Sequence, residues 1–381
     1  MATRPEARLS GFAVAAPGLE PWLTSELREI GLVAREEPGG ASFEGALEDV
    51  YRANLWSRLA SRIIVRVSSF RVRALGELTR RSGTVPWEEW IAPGGAVQLR
   101  VSARKSRLYH TGAIAERVME GIAKRVRAQA TVVAGDEDEE LGDAPLLMVR
   151  LARDVCTISL DSSGALLHRR GYRQAVARAP MRETLAAAML AAGGWPAETP
   201  LNDPLCGSGT IPIEAALKAR DFAPGLGRTF AFEHWPRHQA GRWQTLRDEA
   251  RARIRPTAPA PIAGSDRDSG AITASKANAV RAGVAGDIEF TEAPLSKAPM
   301  SSAPGWIVTN PPYGVRVGEA APLRDLYATL GRVARDGRHH LVILSADANL
   351  ERQLGMSLRT LVATRNGGIA VRILSGGPPN A

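Results

Sequence analysis

The stretch Ile307-Val308-Thr309-Asn310-Pro311-Pro312-Tyr313-Gly314 sets the tightest limit on how this chain can fold. Its apolar start reads as a buried strand. Two consecutive prolines then lack ladder donors and fix φ, so the strand has to end there and leave the sheet as a stiff loop. That loop offers the Asn310 side-chain carbonyl, the Pro311 backbone carbonyl, the stiffening Pro312 and the Tyr313 ring with its polar tip. Two acceptors and a flat ring suit a planar substrate carrying an exocyclic amine. A plain strand-ending turn is the other reading of these residues taken alone.

A second strand end lies a hundred residues earlier, in Pro200-Leu201-Asn202-Asp203-Pro204-Leu205-Cys206-Gly207-Ser208-Gly209-Thr210, and a helix opens from Ile211 to Ala219. Gly207 and Gly209 let the backbone turn sharply and approach a ligand, and the new helix presents unpaired N–H groups. The string lacks the Gly-Lys-Ser/Thr of a phosphate loop and the Gly-x-Gly-x-x-Gly of a dinucleotide fold. Cys206 reads as a small packing residue.

Around these two stretches, strands and helices alternate. A helix runs from about Ala179 to Ala192. The strand Pro261 to Asp266 precedes a helix from Asp268 to Ala282, and Asp287 to Phe290 forms another strand. Then come a helix from Leu323 to Val333, a strand from His340 to Leu344 and two apolar runs, Leu358 to Ala363 and Ile369 to Leu374. The pattern implies an open, mostly parallel sheet with an antiparallel edge, whose ligands belong at the strand C-termini. Asp266 ends the second strand, where ribose hydroxyls are gripped, and equally well caps the helix that follows. Asn278 receives no role. Residues 222–261 read as an insertion covering the site, with His234 and His238 as surface histidines.

The Asn310–Tyr313 loop resembles that of S-adenosylmethionine-dependent amino-methyltransferases, and the Asp203–Thr210 string resembles the first motif of class I methyltransferases. Met181-Arg182-Glu183-Thr184 stands in the corresponding order ahead of them. The resemblance spans roughly 175–381 and implies a Rossmann-like domain with a mostly parallel seven-stranded sheet. It implies S-adenosyl-L-methionine as cofactor, held by Met181, Arg182, Glu183, Thr184, Asp203, Cys206, Gly207, Ser208, Gly209, Thr210 and Asp266. It makes Asn310, Pro311, Pro312 and Tyr313 catalytic, with no metal. Pro294 departs from the pattern near an expected acidic position, leaving Glu292 as the replacement.

The first half reads differently. Residues 1–58 have the β-α-β-β-α order of a ferredoxin-like unit. Residues 59–165 resemble a THUMP RNA-binding module, and 166–178 form a linker into the catalytic domain at 179–381. Arg104, Lys105, Arg107 and Tyr109 in the second unit, and Arg169, Arg170 and Tyr172 in the linker, pair cations with rings as an RNA-binding surface does. A solvated helix face and a merely basic linker are the alternatives. The acidic run Asp136–Glu140 reads as a solvated loop.

In 381 residues, 49 Lys and Arg outnumber 40 Asp and Glu, which favours a polyanionic partner, although arginine-rich usage also reflects genome composition. Two cysteines build no disulfide framework, and no apolar stretch has spanning length, which points to the cytoplasm. As a whole the chain resembles bacterial large-subunit ribosomal RNA guanine-N2 methyltransferases. The alternatives are a transfer-RNA guanine-N2 methyltransferase, a DNA adenine-N6 methyltransferase and a catalytically silent RNA-binding scaffold. Oligomeric state is not legible.

Overall fold

The computed structural model describes residues 8–133, 144–174, 181–313 and 320–377, so the acidic run, Ala179-Pro180 and Gly314 lie outside the described residues. The chain forms two compact units. One takes in residues up to Val14, Thr24–Leu167 and Arg228–Asp248; the other takes in Ala15–Leu23, His168–Gly227 and the residues from Glu249 on.

In chain order the first half contains β1 (Leu9–Val14), α1 (Glu20–Glu29), β2 (Ala34–Glu37), β3 (Gly40–Gly45), α2 (Leu47–Trp56), β4 (Arg62–Arg71) and α3 (Leu75–Ser82). It continues with β5 (Ala96–Arg104), α4 (Thr111–Val126), β6 (Gln129–Val132), β7 (Leu146–Ala152) and β8 (Val155–Asp161). These strands form one eight-stranded sheet in the order β2-β3-β1-β4-β8-β7-β5-β6. Its hinge strand is β4, which pairs antiparallel with β1 on one edge and with β8 on the other. In α4 the four-residue spacing of Ile114, Val118, Ile122 and Val126 puts all four side chains in the core.

The second half contains α5 (Glu183–Gly193), β9 (Leu201–Asp203), α6 (Thr210–Ala219), α7 (Ala240–Ala252), β10 (Ile262–Asp266), α8 (Ser269–Ala282), β11 (Ile288–Glu292) and β12 (Trp306–Thr309). It ends with α9 (Ala320–Asp336), β13 (His340–Ser345), α10 (Ala348–Gln353), β14 (Arg359–Asn366) and β15 (Ile369–Gly376). The seven strands lie in the order β11-β10-β9-β12-β13-β15-β14, parallel except for β15. From β9 the chain fills one side through β10 and β11, then jumps back to place β12 on the other flank of β9. The strand order therefore reverses between β9 and β12, which is where α/β sheets open a ligand crevice beyond their strand ends. Among the described residues no helix is long and apolar enough to cross a membrane.

Residues 222–261, expected as one insertion covering the site, are divided between the two units. Their stretch 228–248 belongs to the first unit, where Phe230, Phe232, Trp235 and Trp243 are buried. Tyr51 packs against Phe232 at 4.4 Å between ring centroids, the planes tilted by 31°, and shares a 3.0 Å hydrogen bond with His238 Nδ1. Four large rings supply the apolar area that draws this segment in. His238 is thus half-buried and bonded, whereas His234 is exposed.

Candidate functional site

Three strand ends build the site. Parallel register sets Gly264 of β10 beside Asp203 of β9, and Trp306 of β12 beside Leu201. Asp203 and Thr309 thus finish adjacent strands, and the Thr309 hydroxyl donates to Asp203 Oδ1 at 2.6 Å. Leu205 N–H donates to the same oxygen at 3.2 Å. Among the described residues Oδ2 accepts nothing. Burial, only partly offset by those two bonds and reinforced by the nearby Asp266, lifts the Asp203 carboxyl to about 7.

The loop after β9 turns twice through left-handed glycines, Gly207 at φ +53° and Gly209 at φ +82°. A side chain at Gly209 would meet Ser275 Cβ at 3.0 Å and Phe290 Cζ at 3.2 Å, whereas one at Gly207 would meet nothing within 4 Å. One glycine answers to packing and the other faces open space. The loop's own groups are held from behind. Gly207 N–H donates to Asp266 Oδ2 at 3.0 Å, the Ser275 hydroxyl to Gly207 O at 2.7 Å, and Asn278 Nδ2 to Ser208 O at 3.0 Å. Asn278, unassigned from sequence, is therefore the buried brace of this loop; its i, i+3 spacing from Ser275 on α8 was the available signal. The cap of α8 is Asp268, which accepts from Gly270 and Ala271 N–H. Burial beside Asp203 and Asp266 pushes the Cys206 thiol up, so it stays protonated and packs.

The loop after β12 is left open. Asn310 Oδ1 is buried and finds no hydrogen-bond partner among the described residues. Tyr327 O–H donates to Pro312 O at 3.4 Å, and Asn366 Nδ2 donates to Tyr313 Oη at 2.8 Å. The two loops line one cavity of about 640 Å³, within the usual range for small-molecule sites. Met181, Asp203, Cys206, Gly207, Ser208, Thr210, Asn310, Pro311, Pro312 and Tyr313 all face it. Sequence reading missed Asn366, Gly367 and Ile369, which also line it from the tip of the β14–β15 hairpin. An Asn-Gly pair between two apolar runs was the available signal.

Other expected residues lie elsewhere. Arg182, Glu183, Thr184, Gly209, Asp266 and Glu292 are outside the lining. Glu183 is buried and paired with Arg173 through two 3.0 Å bonds, and Arg173 Nη1 also holds Met181 O at 2.9 Å. Its carboxylate is thereby committed to fixing the start of α5. Glu292 ends β11, exposed, next to Asp266 in the register.

The linker residues need correction. Tyr172 is buried and donates to Glu214 Oε1 at 3.0 Å, and Arg170 is buried with its Nε 3.6 Å from the same oxygen. A carboxylate inside α6 needs such partners, so these two side chains are withdrawn from any RNA-facing surface. Arg169 is half-buried. In the Arg104–Tyr109 loop, Arg104, Lys105 and Arg107 are exposed, and Tyr109 is 67% exposed against the His110 ring. Arg107 N–H and Ser106 Oγ both bind Asp154, which fixes the loop's shape.

The chain also resembles known proteins in sequence and fold. A model of the RMKL-like methyltransferase domain matches residues 170–372, and a model of the RlmL ferredoxin-like domain matches residues 11–64. The chain is 39% identical over 387 residues to "Ribosomal RNA large subunit methyltransferase K/L" of Syntrophotalea carbinolica, covering 97% of this chain but 54% of that protein. It thus spans about half the length of that relative. It is 33% identical to "Putative RNA methyltransferase slr0064" of Synechocystis, covering 95% of both chains. The crystal structure of SMU.472, a putative methyltransferase complexed with SAH, superposes with TM-score 0.85 at 28% identity over 99% of this chain and 100% of that one. On these matches and on a sheet whose order reverses beside the cavity, the chain belongs to the RMKL-like methyltransferase domain family.

Proposed function

We propose that this protein is an S-adenosyl-L-methionine-dependent methyltransferase acting on the exocyclic N2 of a guanine in RNA, with large-subunit ribosomal RNA as its substrate and the cytoplasm as its compartment. One observation carries the reading: the Asn310 carbonyl oxygen is buried, without a hydrogen-bond partner among the described residues, and in the same cavity as the open backbone at Gly207 and the carboxylate of Asp203. A bare acceptor buried at a cost of about 1–3 kcal/mol suits a site whose ligand brings the missing donor.

The residues fit the cofactor. Asp203 Oδ2 supplies negative charge for a cationic ligand, and Gly207 lets that ligand come close to the backbone. When bound, S-adenosylmethionine supplies a methyl group already activated on a sulfonium. The remaining work is positioning. Asn310 Oδ1 and the Pro311 carbonyl would accept the two amine hydrogens, which turns the nitrogen lone pair out of the ring and toward the donor, while Tyr313 stacks on the base. Once the nitrogen carries the methyl group, one of those two protons leaves to solvent. A base reaches such a cavity only after leaving its stack, at about a few kcal/mol, less where the strand is unpaired.

The RNA assignment rests on the exposed Arg104, Lys105, Arg107 and Tyr109, which suit phosphate contact and base stacking, and on the names of the relatives. In this reading residues 59–165 serve as the THUMP-like module and 166–178 as the linker. The test is to incubate purified protein with methyl-labelled S-adenosylmethionine and unmodified ribosomal or transfer RNA, then digest to nucleosides. N2-methylguanosine from the large-subunit RNA is expected. Label in N6-methyladenosine, preferential label in transfer RNA, or no label would overturn the assignment.

A further inference from the structure

The β14–β15 hairpin reaches the cavity by a two-residue turn. Asn366 pairs with Ile369, so Gly367 and Gly368 alone make the connection, with φ of +53° and +85°. Both left-handed values mark the type I′ turn whose twist matches that of the strands it joins. Arg365 Nη1 closes the turn from the side by donating to Gly368 O at 3.0 Å. The tip is therefore a tight two-residue turn braced from one side. What it carries into the cavity is the Asn366 amide, Gly367 and the half-exposed Ile369.

Asn366 Nδ2 donates to the Tyr313 hydroxyl at 2.8 Å across a sequence separation of 53 residues. Among the described residues this is the one side-chain hydrogen bond that Tyr313 makes, while Tyr327 holds only the backbone ahead of it. A phenol ring pinned at its base alone sweeps about its χ torsions. A second anchor at the far end removes that freedom and fixes the plane on which a flat base can lie.

We infer that Asn366 is a positioning residue of the methyl-transfer site, acting through Tyr313, and that the hairpin tip with Ile369 forms the wall of the subsite that receives an unstacked purine base. This rests on the proposed methyl transfer to a base amine and adds to it the part of the fold that orients the acceptor. A base held a fraction of an ångström off line would leave donor binding untouched and slow the chemical step.

The test is a double-mutant cycle on the full chain, with Asn366→Ala, Tyr313→Phe and both together, read by kcat on guanosine-containing RNA and by calorimetric affinity for S-adenosylmethionine. Tyr313→Phe breaks the same bond without touching the turn, so a defect confined to turn folding separates from loss of the tether. Each single change is expected to lower kcat about tenfold or more with donor affinity unchanged, and the double variant should fall no further than the worse single one. Wild-type kcat in Asn366→Ala, or losses that multiply in the double variant, would overturn the inference while leaving the methyltransferase reading intact. Wild-type protein that binds the donor yet methylates no RNA would overturn both.

Discussion

The loops after β9 and β12 leave neighbouring strands and line one cavity, yet they are finished in opposite ways. In the first, the backbone groups of Gly207 and Ser208 are bonded to Asp266, Ser275 and Asn278 from β10 and α8. In the second, the one buried side-chain carbonyl, that of Asn310, has no partner among the described residues. The difference separates two tasks. A loop that only has to lie close to a ligand can be bonded to its own fold, because its contact surface is shape. A loop that has to redirect a hydrogen-bonding group must keep its acceptor free, and under the proposed function the Asn310 oxygen, without a partner among the described residues, is that acceptor.

The harshest way to break the contrast is Asn310→Ala. If the second loop is kept open for chemistry, methyl transfer falls by roughly two to three orders of magnitude, as when one preorganised hydrogen-bonding group is lost from an active site. Donor affinity should hold, and the melting temperature should hold or rise, because an unpaired buried polar group has been removed. A marked drop in melting temperature with activity retained would assign Asn310 to the frame.

The two glycines sharpen the other side. Gly209→Ala forces a side chain into Ser275 and Phe290 at a residue with φ +82°, so a stability loss of about 2–3 kcal/mol is expected in denaturant titration. Gly207→Ala meets no neighbour and bears only the left-handed backbone cost, about 1 kcal/mol. Its larger effect should be on donor affinity, since the new methyl group points into the space a ligand would use. Equal stability losses with unchanged affinity would mean that Gly207 also serves packing.

Much of this was legible in the sequence, for local reasons. The prolines at 311 and 312 announce the end of β12, and Asp203 with the two glycines announces a strand-to-helix turn, because each effect is confined to a few residues. The four-residue apolar spacing in α4 was equally plain. What stayed hidden depends on long-range pairing. Nothing local says that Glu214 claims Tyr172 and Arg170, or that Tyr51 packs against Phe232 and draws residues 228–248 into the first unit. Asn278 and Asn366 look like any polar helix or turn residue until the fold shows which carbonyl or hydroxyl each one reaches.

The mildest prediction concerns the exception within the first loop. Asp203 takes both its bonds on Oδ1, and burial holds its carboxyl at about 7 rather than near the ordinary 3.8. Since the folded value lies above the unfolded one, its contribution to stability is complete below about pH 4 and is lost as pH rises through 7. Donor binding should run the other way, because a cationic ligand selects the ionised form. From pH 6 to 8 affinity for S-adenosylmethionine should rise about tenfold, with a proton released on binding, while the stability of the free protein declines. Asp203→Asn should flatten both curves and weaken binding throughout. If wild-type affinity is flat over that window in calorimetry run in buffers of different ionisation heat, Oδ2 is not the atom that meets the donor, and the first loop is as closed as its backbone bonds make it.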